Sequence, residues 1–297
     1  MRTFGLWVLA FLITISAAIY QRTTGPTYPI RGEASFNNSV ISYKLPRSHG
    51  GDHDLIFKIE VPDQNINGRI DFKRYKTKDE MTTINMIRDG IYLVGYLPHQ
   101  PPAGKLAYHV YLFDDTNYIT LSGEDPVIIR FKGHVPAYVL IPHIILMFAA
   151  MLFSTRTGLE ALNSHNDSQK LAKWTIALLF AGGIILGPIV QKYAFGAFWT
   201  GFPFGHDLTD NKTLIAFTSW IVAFIVNKRL KNGNWWIVAA ALILLIIYMI
   251  PHSLMGSELD YSKIDEACLN YQNLLPLLLS LSLWRPIARR RQHSTTH

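Results

Sequence analysis

The chain has 297 residues, of which 49% are hydrophobic and 16% charged. A soluble globular chain carries roughly 25% charged residues, so the deficit argues against an ordinary soluble domain and for a membrane protein. The single cysteine, Cys268, excludes an intrachain disulfide, a CxxC redox pair and a zinc cluster built on thiolates. The formal net charge is +7, yet the stretch from Tyr28 to Val135 holds thirteen Lys and Arg against thirteen Asp and Glu. The surplus therefore lies outside the polar stretch, and with no basic face on a folded domain the sequence points away from nucleic acid.

The first apolar run, Phe4 to Tyr20, comes after Arg2 and ends in Ser16-Ala17-Ala18, a small-residue spacing that signal peptidase accepts. Residues 1–22 are thus read as a signal anchor or a signal peptide, and either one exports the polar stretch behind it.

Between 28 and 132 the pattern changes to short alternating runs. Residues 56–61, 69–75, 91–96, 108–113 and 127–131 read as strands, with turns at Asn67-Gly68, Asp89-Gly90 and Ala103-Gly104. About seven strands in a hundred residues is the density of a β-sandwich. Gly68 opening a strand, Met86 and Gly90 before the next, Tyr96-Leu97-Pro98, Pro101-Pro102-Ala103-Gly104 and Tyr108-His109-Val110 together resemble the Ig-like or fibronectin-III-like modules of bacterial envelope proteins. That resemblance implies a sandwich that binds or spaces something and carries no activity of its own. Within the loop 48–54, His49, His53 and Asp54 have a spacing that a metal could use, although a Gly-Gly loop more often leaves such groups solvated.

Five further apolar runs complete the chain: Pro136 to Phe153, Leu171 to Val190, Thr213 to Val226, Trp235 to Ile250 and Ala267 to Trp284. A crossing helix needs about 20 residues; the fourth run of the chain is short for this and the fifth marginal. Charge supports the count all the same. With the N-terminus inside and six crossings, the inward pieces hold eleven bases against Glu160 and Asp167, whereas the outward pieces beyond the polar stretch hold Arg22, Lys192, Lys212 and Lys263 against six acids. This is the positive-inside bias. Trp174, Trp235, Trp236 and Trp284 fall at inner boundaries and Tyr193, Phe195, Phe198 and Trp199 at outer ones, as interfacial aromatics do. The expected architecture is an α-helical polytopic membrane protein of six transmembrane helices, the first of them removable. An Ig-like sandwich (28–132) is inserted between the first and second helices, a five-helix bundle occupies 136–287, and 288–297 form a basic cytoplasmic tail. The corresponding location is a bacterial inner membrane, with both termini cytoplasmic and the β domain periplasmic.

The outward helix ends collect His143, behind Pro142, and His252, behind Pro251. The loop 193–212, rich in aromatics and glycine, is expected to fold back and bring His206, Asp207 and Asp210 to the bundle mouth. Asp207 and Asp210 also stand where N-caps belong, and for Asp210 capping is the simpler role. The next outward loop adds Glu258 and Asp260. Imidazole and carboxylate together suit a divalent metal, and paired histidines suit haem. The stretch from Gly196 through Trp199 to Asp207 and Trp220 is similar to the outward tryptophan-rich loop of haem-handling cytochrome c assembly proteins, without their Trp-Asp-Pro core. Gly201-Phe202-Pro203-Phe204-Gly205-His206 departs from the phosphatidic-acid phosphatase loop, because Phe204 stands in place of its serine.

Two functions are therefore open. One is a respiratory, electron-transfer or cofactor-assembly component that binds metal or haem through His143, His206 and His252 with Asp207, Asp210, Glu258 and Asp260. The other is a non-catalytic anchor or assembly subunit in the lipid bilayer, whose sandwich docks a membrane or periplasmic partner protein. Transport is a third and weaker reading, since only His143 approaches the midplane.

Overall fold

The computed structural model describes residues 2–37, 39–163, 168–251 and 258–266. Helix α1 (Arg2–Thr24) leads into eleven strands: β1 (Ile30–Phe36), β2 (Ser39–Leu45), β3 (Ser48–Gly50), β4 (Leu55–Glu60), β5 (Asn67–Arg74), β6 (Thr82–Asn85), β7 (Ile87–Asp89), β8 (Tyr92–Leu97), β9 (Lys105–Phe113), β10 (Tyr118–Thr120) and β11 (Val127–Lys132). Helices α2 (Ala137–Leu162), α3 (Ser168–Leu179), α4 (Gly187–Phe195), α5 (Leu208–Arg229) and α6 (Asn234–Met249) come next, with a π-helical turn at Phe180–Leu186 joining α3 to α4. Residues from Asp260 onward belong to a second unit, whose described part is a short helix at 261–266.

The strands form a sandwich-like β region. One sheet runs β3-β11-β9-β5-β6 with β10 also on β9, a second runs β4-β8-β7, and β1 pairs with β2. Strict alternation explains why β4 is a strand: Leu55, Phe57 and Ile59 point in while Ile56, Lys58 and Glu60 point out. Facing them, Ile70 and Phe72 of β5 stand opposite Val110 and Tyr108 of β9, and these side chains share one core with Leu45, Leu97, Leu106 and Phe131. All five strands read from the sequence are present. Asn67-Gly68 is not a turn, however; it opens β5. A Cβ on Gly68 would come within 2.7 Å of Met86 Sδ and force that side chain to shift, so the glycine serves close packing. The His49 to Asp54 loop is tied by its own backbone. His49 Nε2 donates to the His53 carbonyl at 2.9 Å, and Asp54 accepts from the His99 amide at 2.8 Å.

Three described helices are long and apolar enough to cross a membrane, Thr3–Thr24, Ala137–Leu162 and Ser168–Phe195, where the sequence suggested six. The reasons are particular. Helix α5 carries Asp210, Lys212, Lys228 and Arg229 within its 22 residues, α6 has only 16 residues, and the run 267–284 lies outside the described residues. The third apolar run is not one regular helix either. Pro188, at the start of α4, has no N–H to donate back along the helix, and the wider π-helical turn lies just before it.

The helices present their apolar side chains outward and small or polar ones inward. Tyr138, Ile141 and Ile145 of α2 are exposed, whereas Ala150, Ser154, Thr157 and Glu160 are buried. Fully or nearly fully buried Ala172, Ala216, Ala223 and Ala240 let the helices approach closely around the ring of Trp220. Helix α1 is a member of this assembly: Ala10, Thr14 and Ala17 are buried along one stripe, and Trp7 meets Phe153 edge to face at 5.2 Å.

At the crossing of α2 and α6, a Cβ on Gly158 would lie 2.7 Å from that of Ala241. Gly158→Ala is expected to lower stability by about 1–3 kcal/mol through overpacking. Adding Ala241→Gly should recover part of the loss, a coupling that equilibrium unfolding of the two single variants and the double variant would measure.

Candidate functional site

The site lies where the β domain meets the bundle. Strand β11 passes into α2 through Gly133, whose amide donates to the Ala194 carbonyl at 3.0 Å. No side chain fits here, since a Cβ would come within 2.2 Å of the Tyr193 carbonyl oxygen. Beside it the buried guanidinium of Arg130 stacks over the Phe195 ring at 4.0 Å. The end of α4 is thereby held against the last strand.

From α4 the chain makes a glycine-rich loop back to α5, and one carboxylate organises it. Asp210 Oδ2 accepts from the amides of Thr200 (2.6 Å) and Gly201 (3.0 Å) and from Gln191 Nε2 (3.0 Å). Gly201 is needed for this approach, because a Cβ there would sit 2.6 Å from Asp210 Cβ. Asp207 is the N-cap of α5, with Oδ1 accepting from the Thr209 amide at 2.7 Å. Thr200 Oγ1 receives from Gln191 at 2.7 Å and lies 3.1 Å from Asp207 Oδ2 and 3.3 Å from Asp210 Oδ2, so its one proton links the two acids. Asn211 Oδ1 accepts from the Phe202 amide at 2.7 Å. The capping role assigned to Asp210 thus belongs to Asp207, while Asp210, one helical turn on, reaches back to the loop. Both acids are buried, at 7% and 4% exposure, which is tolerable for a carboxylate only with several donors of this kind.

Lys212, 4% exposed, closes the other side by donating to the carbonyls of Ile250 (3.1 Å) and Pro251 (3.4 Å). These lie at the C-terminus of α6, where carbonyls lack helical partners and a cation is favoured.

The remaining residues of the sequence-derived set are dispersed. His143 Nδ1 donates to the Gly182 carbonyl at 2.9 Å, inside the π-helical turn, and so is committed to the packing of α2 on that turn. His206 is exposed on the loop. Glu258 bridges Lys76 (2.7 Å) and Lys105 (2.6 Å) of the β domain. Asp260 Oδ1 accepts from the Ser262 amide and hydroxyl at 3.2 and 2.6 Å at the start of the short helix 261–266. His252 lies outside the described residues. Among the described residues no three of His, Cys, Asp and Glu come together in a way that could hold a metal ion. Of the seven residues, Asp207 and Asp210 are brought together, in a cluster completed by Thr200 and Gln191, which the sequence did not single out.

A second buried polar group, near the other end of α2, was also missed. Arg156 and Glu160 form an ion pair one helical turn apart, each at most 5% exposed, with the guanidinium 5.5 Å from the centre of the Trp7 ring. The signal was available. Ser154-Thr155-Arg156-Thr157 is a polar run inside an apolar helix, and Arg156 and Glu160 have the spacing of a helical ion pair. Counted as inner-loop charges they looked solvated.

Asp210→Ala should cost about 1.5–3 kcal/mol per lost charged hydrogen bond at most and expose residues 199–207 to protease, with Asp210→Asn milder; His206→Ala should stay within about 0.5 kcal/mol of the parent. For Glu258, burial alone would raise the pKa, but the hydrogen bonds from Lys105 and Lys76 outweigh it and hold the carboxyl below its ordinary value of 4.5. Its stabilising effect is therefore present above that ordinary value and lost as the pH falls through the lower, folded one. The protection of the Leu259 amide, which donates to the Ala103 carbonyl at 3.3 Å, should fall over that acid range when measured against its intrinsic exchange rate at each pH, and Glu258→Gln should remove that change in protection.

Comparison with known proteins finds no matching family, no matching curated protein and no matching solved structure.

Proposed function

We propose that the chain is a non-catalytic membrane anchor or assembly subunit that holds an Ig-like β domain outside the bilayer and offers it to a partner protein. One observation carries this reading: the outward acids that could have served chemistry are already occupied in fastening the molecule. Asp207 caps α5, Asp210 gathers the loop amides, and Glu258 bridges two lysines of the β domain. The reading of a metal or haem site needs three imidazoles to converge. His143 is bonded to Gly182 and His206 is exposed, so the described residues lend that reading no support.

In this account α5 and α6 lie in the bilayer with α2 and α3. They share one buried core with them, through Trp220 and Ala223 of α5 and Ile237, Ala240 and Leu244 of α6 against Ala150, Ala172 and Leu179, and the apolar outer faces of Ile215, Ile225, Leu242 and Ile246 suit lipid. The charge bias read from the sequence sets the β domain on the periplasmic side of a bacterial inner membrane. The partner-facing surface is the outer face of β4-β8-β7. Ile56 and Ile87 are 54% and 57% exposed there, and the Lys58–Asp89 pair at 2.7 Å flanks them with Tyr92. An apolar centre with charges and aromatics at its rim is how docking surfaces are built.

A photo-crosslinking residue placed at Ile87 in native membranes should give one discrete protein adduct, and Ile56→Asp with Ile87→Asp should abolish it while the chain stays folded. A chain that purifies alone with a stoichiometric metal or a haem spectrum would refute the proposal.

A further inference from the structure

Helices α1 and α2 leave between them a groove of about 290 Å³, lined by Ile15, Ala18 and Ile19 of α1 and Phe148 of α2, with Thr23 and Arg22 at the end nearer the β domain. The lining is almost wholly apolar except at that end. Both helices are of membrane-spanning length and apolarity, so the groove opens onto lipid and an acyl chain is the apolar body available to fill it. The polar end has a defined sign. Arg22 lines that end of the groove and is exposed at the last turn of α1. Thr23 turns its hydroxyl to the Ile19 carbonyl at 2.9 Å and adds no negative charge.

We propose that this groove binds an anionic glycerophospholipid from the leaflet on the β-domain side, one acyl chain lying along Ile15, Ala18, Ile19 and Phe148 and its phosphate held by Arg22. The pairing comes from general chemistry: an apolar channel ending in a cation matches an acyl chain ending in a phosphodiester, and basic residues at the membrane surface select anionic over zwitterionic headgroups. The inference rests on α1 and α2 being in the bilayer and is independent of any partner protein.

The test uses the full chain purified in a neutral detergent and offered equimolar dioleoyl phosphatidylglycerol and dioleoyl phosphatidylcholine, with bound lipid read by native mass spectrometry and thermal unfolding followed in parallel. Retention should favour phosphatidylglycerol, and the preference should fall about fivefold in Arg22→Gln. Ala18→Phe, which fills the groove, should reduce retention of both lipids. Inorganic phosphate at millimolar concentration should shift neither readout, since it lacks the acyl chain. Equal retention of the two lipids, a preference that survives Arg22→Gln, or stabilisation by inorganic phosphate alone would each overturn the proposal. So would an intact mass showing residues 1–22 removed.

Discussion

A single carboxylate, that of Asp210, sets the geometry of the junction between the β domain and the helices. A glycine-rich loop has little reason to hold one conformation, because its backbone loses more entropy on ordering than any other. Buried peptide N–H groups must nevertheless find acceptors. Asp210 supplies one for Thr200 and for Gly201 on the same oxygen, and the loop closes on the first turn of α5. That fixes Asp207 as the cap, places α5 against α3 and α6, and leaves the end of α4 facing Gly133 and Arg130. Acidic groups near the start of a helix are also favoured by its dipole, so the same position satisfies the loop and the helix.

The rest of the bundle packs as a chain in lipid is expected to. Hydrocarbon offers no hydrophobic drive between helices, so contact depends on close approach, and alanine and glycine supply it around one large ring, Trp220. Where charge enters, it is paired and covered: Arg156 with Glu160 under Trp7, and Lys212 against the last carbonyls of α6. Breaking such a pair leaves an uncompensated charge, which gives α1 a role in shielding Arg156.

Much of this was legible in the amino-acid order, and the failures have physical causes. Period-two alternation located β4, β5, β8, β9 and β11 because each buries one face. The hairpin of β1 and β2 escaped although it alternates, with Arg31, Glu33 and Lys44 outward, because inward positions of β1 are filled by the small Gly32 and Ala34 and give a weak apolar signal; Asn67-Gly68 misled because a glycine packed against Met86 looks like a turn glycine. Hydropathy placed the apolar runs, but α5, with its four charges, and α6, with 16 residues, fall short of the length and apolarity that mark α1 and α2. The loop's return to the bundle mouth was readable from its apolarity and glycine content. The fate of its acids was not, since which donors reach a carboxylate depends on helix phase and loop path. His143 turns to the Gly182 carbonyl for a related reason: position along a helix says how deep a side chain lies, not which way it faces.

The claim that Asp207, Asp210 and Glu258 are structural clamps is tested most directly by hydrogen exchange at the Thr200 and Gly201 amides in the metal-free protein. If Asp210 holds them, both should be protected to the level of the α5 backbone and should gain nothing when zinc or iron is added. Exchange at the rate of an open loop, slowed only by an added metal, would contradict the account.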